Sequence, residues 1–505
     1  MSDKNSIRLF KNTGMLYIRM FLIMLVNLYM SRVVLNILGV EDFGIYNIVG
    51  GVVVLFSFIN SALSAATQRF LSFALGQQDL EKLKRTFSMS LTTHISISLV
   101  VLLFAETIGL WFLNAKLNIP AERIIAANWV YQFSILTLII QIIQVPYNAS
   151  IIAYEKMSFY AYVGFIEAGL KLAIIFLLNF GGFDKLIYYA SLISIVAFLT
   201  FLVYNIYCTK KFDSCKYYFF WDLNLYKSLL SFSGWSLFGS LANVGSNQGV
   251  NILLNLFYGV TVNAAMGIAN QVNAALNNFV INFQTAFRPQ IVKSYAQKDR
   301  DYLMQLIFQT SKFSFFLLYI IALPILLNTE DILQIWLVNV PKYSVEFCQL
   351  ILIFSLIETI SGPLWMSVQA TGKIKNYQII IGSIILSNLF FGYIFLLLGY
   401  NPIIIFWIKI IVNLFTLFAR VLFLKKMIQL SIKLFLKKVV LRILFVVTIS
   451  LPLPFLLLYF TSGIWGIFFV TFISLLAVSI SIYFVGILST EQVLIKNFLW
   501  KIIRN

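Results

Sequence analysis

The sequence predicts an all-α polytopic membrane protein of about fourteen transmembrane helices, arranged as two parallel six-helix lobes followed by two extra C-terminal helices. Three observations lead there. Of 505 residues, 60% are hydrophobic and 11% charged, a proportion that no water-facing surface of this length tolerates. The apolar residues fall in runs of span length between short polar breaks, whereas a membrane barrel would show alternating segments of about ten residues. A hairpin in the first half also recurs in the second, roughly 220 residues later.

In chain order the runs cover approximately 14–37, 43–66, 86–113, 124–153, 159–181, 185–207, 228–257, 262–287, 313–338, 345–371, 377–399, 402–424, 442–460 and 464–487. Each must be a helix, because lipid-exposed loops would leave backbone groups unpaired. The leading segment MSDKNSIRLFKNTG is polar and lacks a small-residue cleavage site after a short apolar core, so the first run reads as a span rather than a removable signal.

A net charge of +18 could suggest nucleic acid, but the basic residues punctuate apolar runs instead of forming a basic domain with interleaved aromatics. They set orientation instead. With the N-terminus in the cytoplasm, 28 of the 37 lysines and arginines lie on that side, and only Lys116, Arg123, Lys185 and Lys342 lie opposite. Both termini are then cytoplasmic. Cys208, Cys215 and Cys348 have neither metal-ligand spacing nor a disulfide framework, and no metal or cofactor is expected. No loop is long enough to fold alone, so an enzymatic site such as that of a membrane glycosyltransferase or polymerase is not expected.

The repeat pairs LNILGVEDFGIYNIVGG from Leu35 with LNLFYGVTVNAAMGIAN from Leu254, so that Gly39-Val40 matches Gly259-Val260. Each hairpin leads into a basic segment, QRFLSFALGQQDLEKLKR from Gln68 and FRPQIVKSYAQKDRDYLM from Phe287. Six spans separate the copies, so both enter from one face and the repeat is parallel. The expected division is 1–208 and 209–424 as the six-helix lobes, and 425–505 as a basic loop, two extra helices and a cytoplasmic tail. Two lobes of this kind are the build of alternating-access transporters, with a substrate site between them near the midplane.

Two spans are unusually polar. Asn243, Asn247, Asn251 and Asn255 recur every fourth residue, with Ser246 and Gln248 at the edge. On the next span Asn263, Asn270, Asn273, Asn277 and Gln284 share an arc of about 80°, opposite Ile268, Val272, Leu276, Phe279 and Phe283. Such a face is either the wall of a water-filled cavity or interhelical glue, since unpaired amides in hydrocarbon cost on the order of several kcal/mol each.

Charges within spans sort similarly. Arg32 and Lys409 have no acidic neighbour on their own helices and are the leading candidates to bind an anionic group. Arg19 and Arg420 either snorkel or join them. Glu167 and Lys171 are spaced to pair with each other, and Lys171 is a further substrate-binding candidate. Glu106, Glu167 and Glu358 are the candidates for a coupling ion. His94, the sole histidine, reads as an interhelical donor or a proton relay.

The outer turn with Gly39, Gly44 and Tyr46, followed by a second helix ending in Gln68-Arg69-Phe70, resembles the Wzx-type O-antigen and polysaccharide flippases. These belong to the multidrug, oligosaccharidyl-lipid and polysaccharide exporter (MOP) superfamily. The resemblance implies a MATE-like two-lobe fold and translocation of undecaprenyl-diphosphate-linked oligosaccharide to the periplasmic leaflet of a bacterial inner membrane. Lipid-linked oligosaccharide, membrane lipids and other polysaccharide-assembly proteins would be the partners, and nucleic acid would not. The sugar hydroxyls would meet amide-rich walls, and the diphosphate a lysine or arginine. Rival readings are an ion-coupled multidrug exporter and a lipid II flippase of the same superfamily.

Overall fold

The computed structural model describes residues 3–54, 57–116, 119–178, 184–337, 340–461, 463–488 and 491–492. Among these residues all regular structure is helical. The chain divides into two compact units, Lys11–Leu237 and a second that comprises the chain from Phe238 together with the first residues up to Phe10, so that the first helix begins in the second unit and runs mostly in the first.

The first unit is built from α1 (Asp3–Val54), α2 (Ser57–Gly76), α3 (Leu80–Phe104), α4 (Leu110–Lys116), α5 (Ile124–Ala153), α6 (Met157–Leu177) and α7 (Lys185–Lys211). It ends inside α8 (Leu223–Tyr258). α5 is the central helix, packed on α2, α3 and α7, and its buried Ala127, Val130, Tyr131 and Ile142 form the spine of the core. Arg123, just before α5, donates to both carboxylate oxygens of Asp42 at 2.8 and 2.5 Å and to Asp184 at 2.6 Å. Asp184 also caps α7. Burial raises its carboxyl pKa and the Arg123 hydrogen bond lowers it, with a net value below the ordinary one. This clip ties the beginnings of α5 and α7 to the stretch after the break in α1.

The second unit continues with α9 (Val260–Ala296), α10 (Arg300–Leu327), α11 (Thr329–Trp336), α12 (Ser344–Thr371), α13 (Lys375–Leu397) and α14 (Ile404–Ile428). α12 is central here, packed on α9, α10 and α14 as α5 is on α2, α3 and α7. α15 (Ile432–Phe435), α16 (Leu441–Ser450), α17 (Pro452–Leu457) and α18 (Gly463–Ser481) follow, and α16 and α18 dock on α10. Tyr319 and Ser450 share a hydroxyl hydrogen bond of 3.1 Å there.

The repeat has a backbone counterpart. α1 breaks at Gly39 (φ 81°, ψ 170°), and α8 and α9 meet at Gly259 (φ 75°, ψ −167°). That region is open essentially to glycine alone. Gln78 and Lys298 both have positive φ, 59° and 58°, and each precedes an aspartate whose carboxylate caps the next helix. Asp79 accepts from Lys82 N at 2.9 Å, and Asp299 from Tyr302 N at 3.1 Å.

Ten helices among the described residues are long and apolar enough to cross a membrane. α8 and α9, with 36 and 37 residues, have the length but are not among the ten. Their asparagines lower the hydropathy that defines a span. Helices also outrun the expected ends: α2 continues to Gly76 and α9 to Ala296, through segments read as basic connections. Hydropathy marks where apolarity stops, while Gln, Arg and Ala residues beyond it remain good helix formers.

Candidate functional site

Each unit encloses a polar cavity lined wholly by its own helices. In the second unit it has a volume of about 430 Å³. Asn243, Asn247 and Asn251 face it from α8, with Ser246 and Gln248 between them, and Asn270, Asn273 and Asn277 face it from α9. Lys409, Asn413 and Arg420 complete the wall from α14, Glu358 from α12 and Asn388 from α13.

These groups are cross-linked but not consumed. Lys409 Nζ donates to Asn247 Oδ1 at 2.8 Å and lies 4.6 Å from the centre of the Phe354 ring. Asn277 donates to Asn273 at 2.8 Å, and Asn273 in turn accepts from Ser355 at 2.5 Å. Arg420 pairs with Glu358 at 3.0 Å. The snorkelling alternative for Arg420 does not hold: its side chain is buried, and its partner stands on a neighbouring helix. The α8 ladder turns away at Asn255, which does not line the cavity, and Gln284 lies off it too. Gln284 is glue: its amide donates to Ser314 at 3.0 Å and to the Thr359 carbonyl at 3.1 Å. The expected polar faces thus divide, one part cavity wall and one part packing.

The first unit's cavity measures about 560 Å³. Arg19 reaches it from α1, and Glu167 and Lys171 from α6, paired at 2.8 Å as their spacing predicts. The Arg19 guanidinium stacks 4.2 Å from the centre of the Tyr160 ring. Gly164 makes room for it, since a Cβ there would sit 2.5 Å from Arg19 Nε. Arg19 Nε, Asn60 Oδ1 and Asn148 Oδ1 are buried without a hydrogen-bond partner, which marks this wall as able to accept a polar guest.

Sequence reading missed the α5 contribution. Thr137, Gln141, Gln144 and Asn148 form a one-face helical stripe along this cavity. The spacing was present to be found, but four polar residues scattered in a strongly apolar span lack the density of the asparagine ladders.

Other expected residues fall elsewhere. The side chain of Arg32 lies outside the described residues. Glu106 accepts from Gln132 at 3.1 Å in a π-helical turn, Ala105–Gly109, and lines neither cavity. That turn is explained by Tyr131, whose hydroxyl donates to the Ala105 carbonyl at 2.8 Å and occupies the space a Cβ at Gly109 would need. His94 Nδ1 sits 2.7 Å from the Ser90 carbonyl of its own helix. The three cysteines are buried and free, and among the described residues no cluster of metal-ligating side chains forms.

No protein-family model matches the chain, and no curated protein matches it. Solved structures do. A MATE crystal structure in complex with MaD3S superposes with a TM-score of 0.71 at 14% identity, over 85% of this chain and 96% of that one. An outward-facing multidrug resistance MATE family transporter of the MOP superfamily gives 0.72 at 16%, with the same coverage of 85% and 96%. A MOP superfamily transporter from Pyrococcus furiosus, described as having a binding pocket of reverse polarity that suggests a different function, gives 0.69 at 14%, again over 85% and 96%. At these identities the likeness is one of fold. The chain has a MATE-like fold; the first two of these neighbours are described as MATE proteins, and the second and third as transporters of the MOP superfamily.

Proposed function

We propose that the protein is a flippase. It carries undecaprenyl-diphosphate-linked oligosaccharide repeat units from the cytoplasmic to the periplasmic leaflet of a bacterial inner membrane by alternating access, for O-antigen or surface polysaccharide assembly. Fourteen spans and two cytoplasmic termini belong to this reading. The observation that carries it is the chemistry of the second unit's cavity, an amide-rich wall with Lys409 and Arg420 against a single Glu358. Carboxamides offer both donors and acceptors to sugar hydroxyls in place of water, and the cationic excess suits a diphosphate. The first unit's cavity repeats that balance with Arg19 and Lys171 against Glu167.

The folds of the structural neighbours favour a second reading, a multidrug exporter, because one of them is a multidrug resistance transporter. A cavity selecting cationic drugs would gain from an acidic excess, and neither cavity has one. A lipid II flippase shares the chemistry and differs in its glycan. The decisive experiment reconstitutes the protein in proteoliposomes with a lipid-linked oligosaccharide and follows its accessibility to an external lectin. Protein-dependent flipping is expected; export of a cationic dye with no flipping would replace this reading by the drug exporter.

A further inference from the structure

The second unit holds another cavity, of about 460 Å³, lined from α10, the turn after α14, the π-helical turn Leu436–Val440 and the chain at Leu488 and Glu491. It is separate from the amide-walled cavity and shares no lining residue with it. Its floor is apolar, with Met304, Phe308 and Leu434, and its charged groups are Arg300, Lys312 and Lys438 against Asp301 and Glu491.

Lys312 is the unusual member. It is 1% exposed, and its Nζ lies 2.6 Å from Glu491 Oε2. A lysine buried this deeply demands an anion beside it. Here the anion is a carboxylate on the last described segment of the chain, and the same oxygen accepts from Leu488 N at 2.8 Å. Arg300, also in the lining, is fixed by donating to the Gln429 carbonyl at 2.9 Å. Without Glu491, three cations would face only the exposed Asp301. The surroundings reinforce that excess, since Lys425, Lys426, Lys433, Lys437 and Arg442 flank this stretch of chain.

We propose that this cavity is a site for a phosphate group, with Glu491 as an intramolecular stand-in that a phosphate monoanion or diester displaces from Lys312. An anionic phospholipid would place its headgroup phosphate among Arg300, Lys312 and Lys438, and the start of its acyl chain on the apolar floor. Free phosphate offers the same charge without the chain. The inference does not depend on what the transporter carries.

Native mass spectrometry of the purified full-length protein tests it by titration with phosphatidylglycerol, phosphatidylcholine or inorganic phosphate. Phosphatidylglycerol should bind more tightly than phosphatidylcholine. Lys438→Gln, at a partly buried position, should weaken it about fivefold, the scale of one basic contact to an anionic lipid. Lys312→Gln should weaken it at least as much, and Glu491→Gln should tighten it by removing the competitor. Inorganic phosphate binding with the same pattern, and no gain from phosphatidylglycerol, would identify the source as free phosphate. Equal binding of the two phospholipids with no phosphate binding would overturn the proposal. So would Glu491→Gln weakening the anion, because the pair would then be a fixed structural bridge.

Discussion

In Lys11–Leu237 the charges facing the cavity sit on α1 and α6, whereas in the unit from Phe238 they sit on α12 and α14. The neutral polar wall moves only in part: α2 and its counterpart α9 both contribute, while α5 adds to it in the first unit and α8 in the second. Yet the helices that surround the two cavities correspond, and the backbone punctuation at Gly39 and Gly259 is the same within a few degrees in φ. The scaffold is fixed by a few special backbone positions, and the chemistry is written afterwards onto whichever helix faces inward. The same cationic balance, one arginine and one lysine against one glutamate, is supplied from different helices.

The sharpest way to break this comparison is to remove one cation from each cavity. Lys409→Ala and Arg19→Ala are each expected to lower flipping at least about tenfold, the scale of one charge-assisted hydrogen bond lost to a bound anion. Lys409→Arg should retain more activity than Lys409→Ala. The readout is the lectin-accessibility rate, beside complementation in cells lacking their own flippase. Full activity in Arg19→Ala with loss in Lys409→Ala would mean that the cavities are not functional counterparts.

Water access is the next discriminator. Cysteines at Asn247 and Gln141 should both react with a small membrane-impermeant thiol reagent, each from its own cavity. A cysteine at Phe415, 65% exposed midway along α14, one of the ten helices apolar enough to cross a membrane, is expected to meet lipid and should not. Reaction at Asn247 alone would make the first unit's cavity a dry packing defect and end the comparison there.

Backbone substitutions come third. Neither Gly39 nor Gly259 has a neighbour within 4 Å of a would-be Cβ, so the demand for glycine is conformational rather than steric crowding. Gly39→Ala and Gly259→Ala should each destabilise the detergent-solubilised protein by about 1–3 kcal/mol, the cost of holding a Cβ in that region. Thermal unfolding should report similar losses for both. A large effect at one and none at the other would show that the two breaks carry unequal load.

Much of this architecture was legible from the chain because apolar run length and glycine position are local signals. The pairing of Gly39 with Gly259 needed no tertiary knowledge, and the Glu167–Lys171 pair followed from helical spacing. The amide ladders at Asn243–Asn251 and Asn270–Asn277 were visible by density. Partners on other helices were not: Arg420 looked like a residue near a helix end until α12 presented Glu358, and Gln284 looked like cavity wall until Ser314 and Thr359 took its amide. The same holds for Gly164, whose purpose is set by Arg19 on a helix far away in sequence. Spacing along one helix gives the face, and only packing says what meets it.

The smallest effect is the most specific test of the shared scaffold. Asp79 and Asp299 each follow a residue held at positive φ and each accepts from the backbone N–H three residues on, closing the first turn of α3 and of α10. An N-cap carboxylate satisfies an otherwise unpaired donor and meets the positive end of the helix, so its loss costs about 1 kcal/mol. Asp79→Ala and Asp299→Ala are therefore expected to lower stability by about that amount each, and Asp→Asn or Asp→Ser by much less, because those side chains also cap. The double alanine variant should show the sum, since the two caps belong to separate compact units and share no partner. A non-additive double variant, followed by hydrogen exchange at the amides of Lys82 and Tyr302, would mean that the repeated turns are coupled rather than two independent copies of one local device.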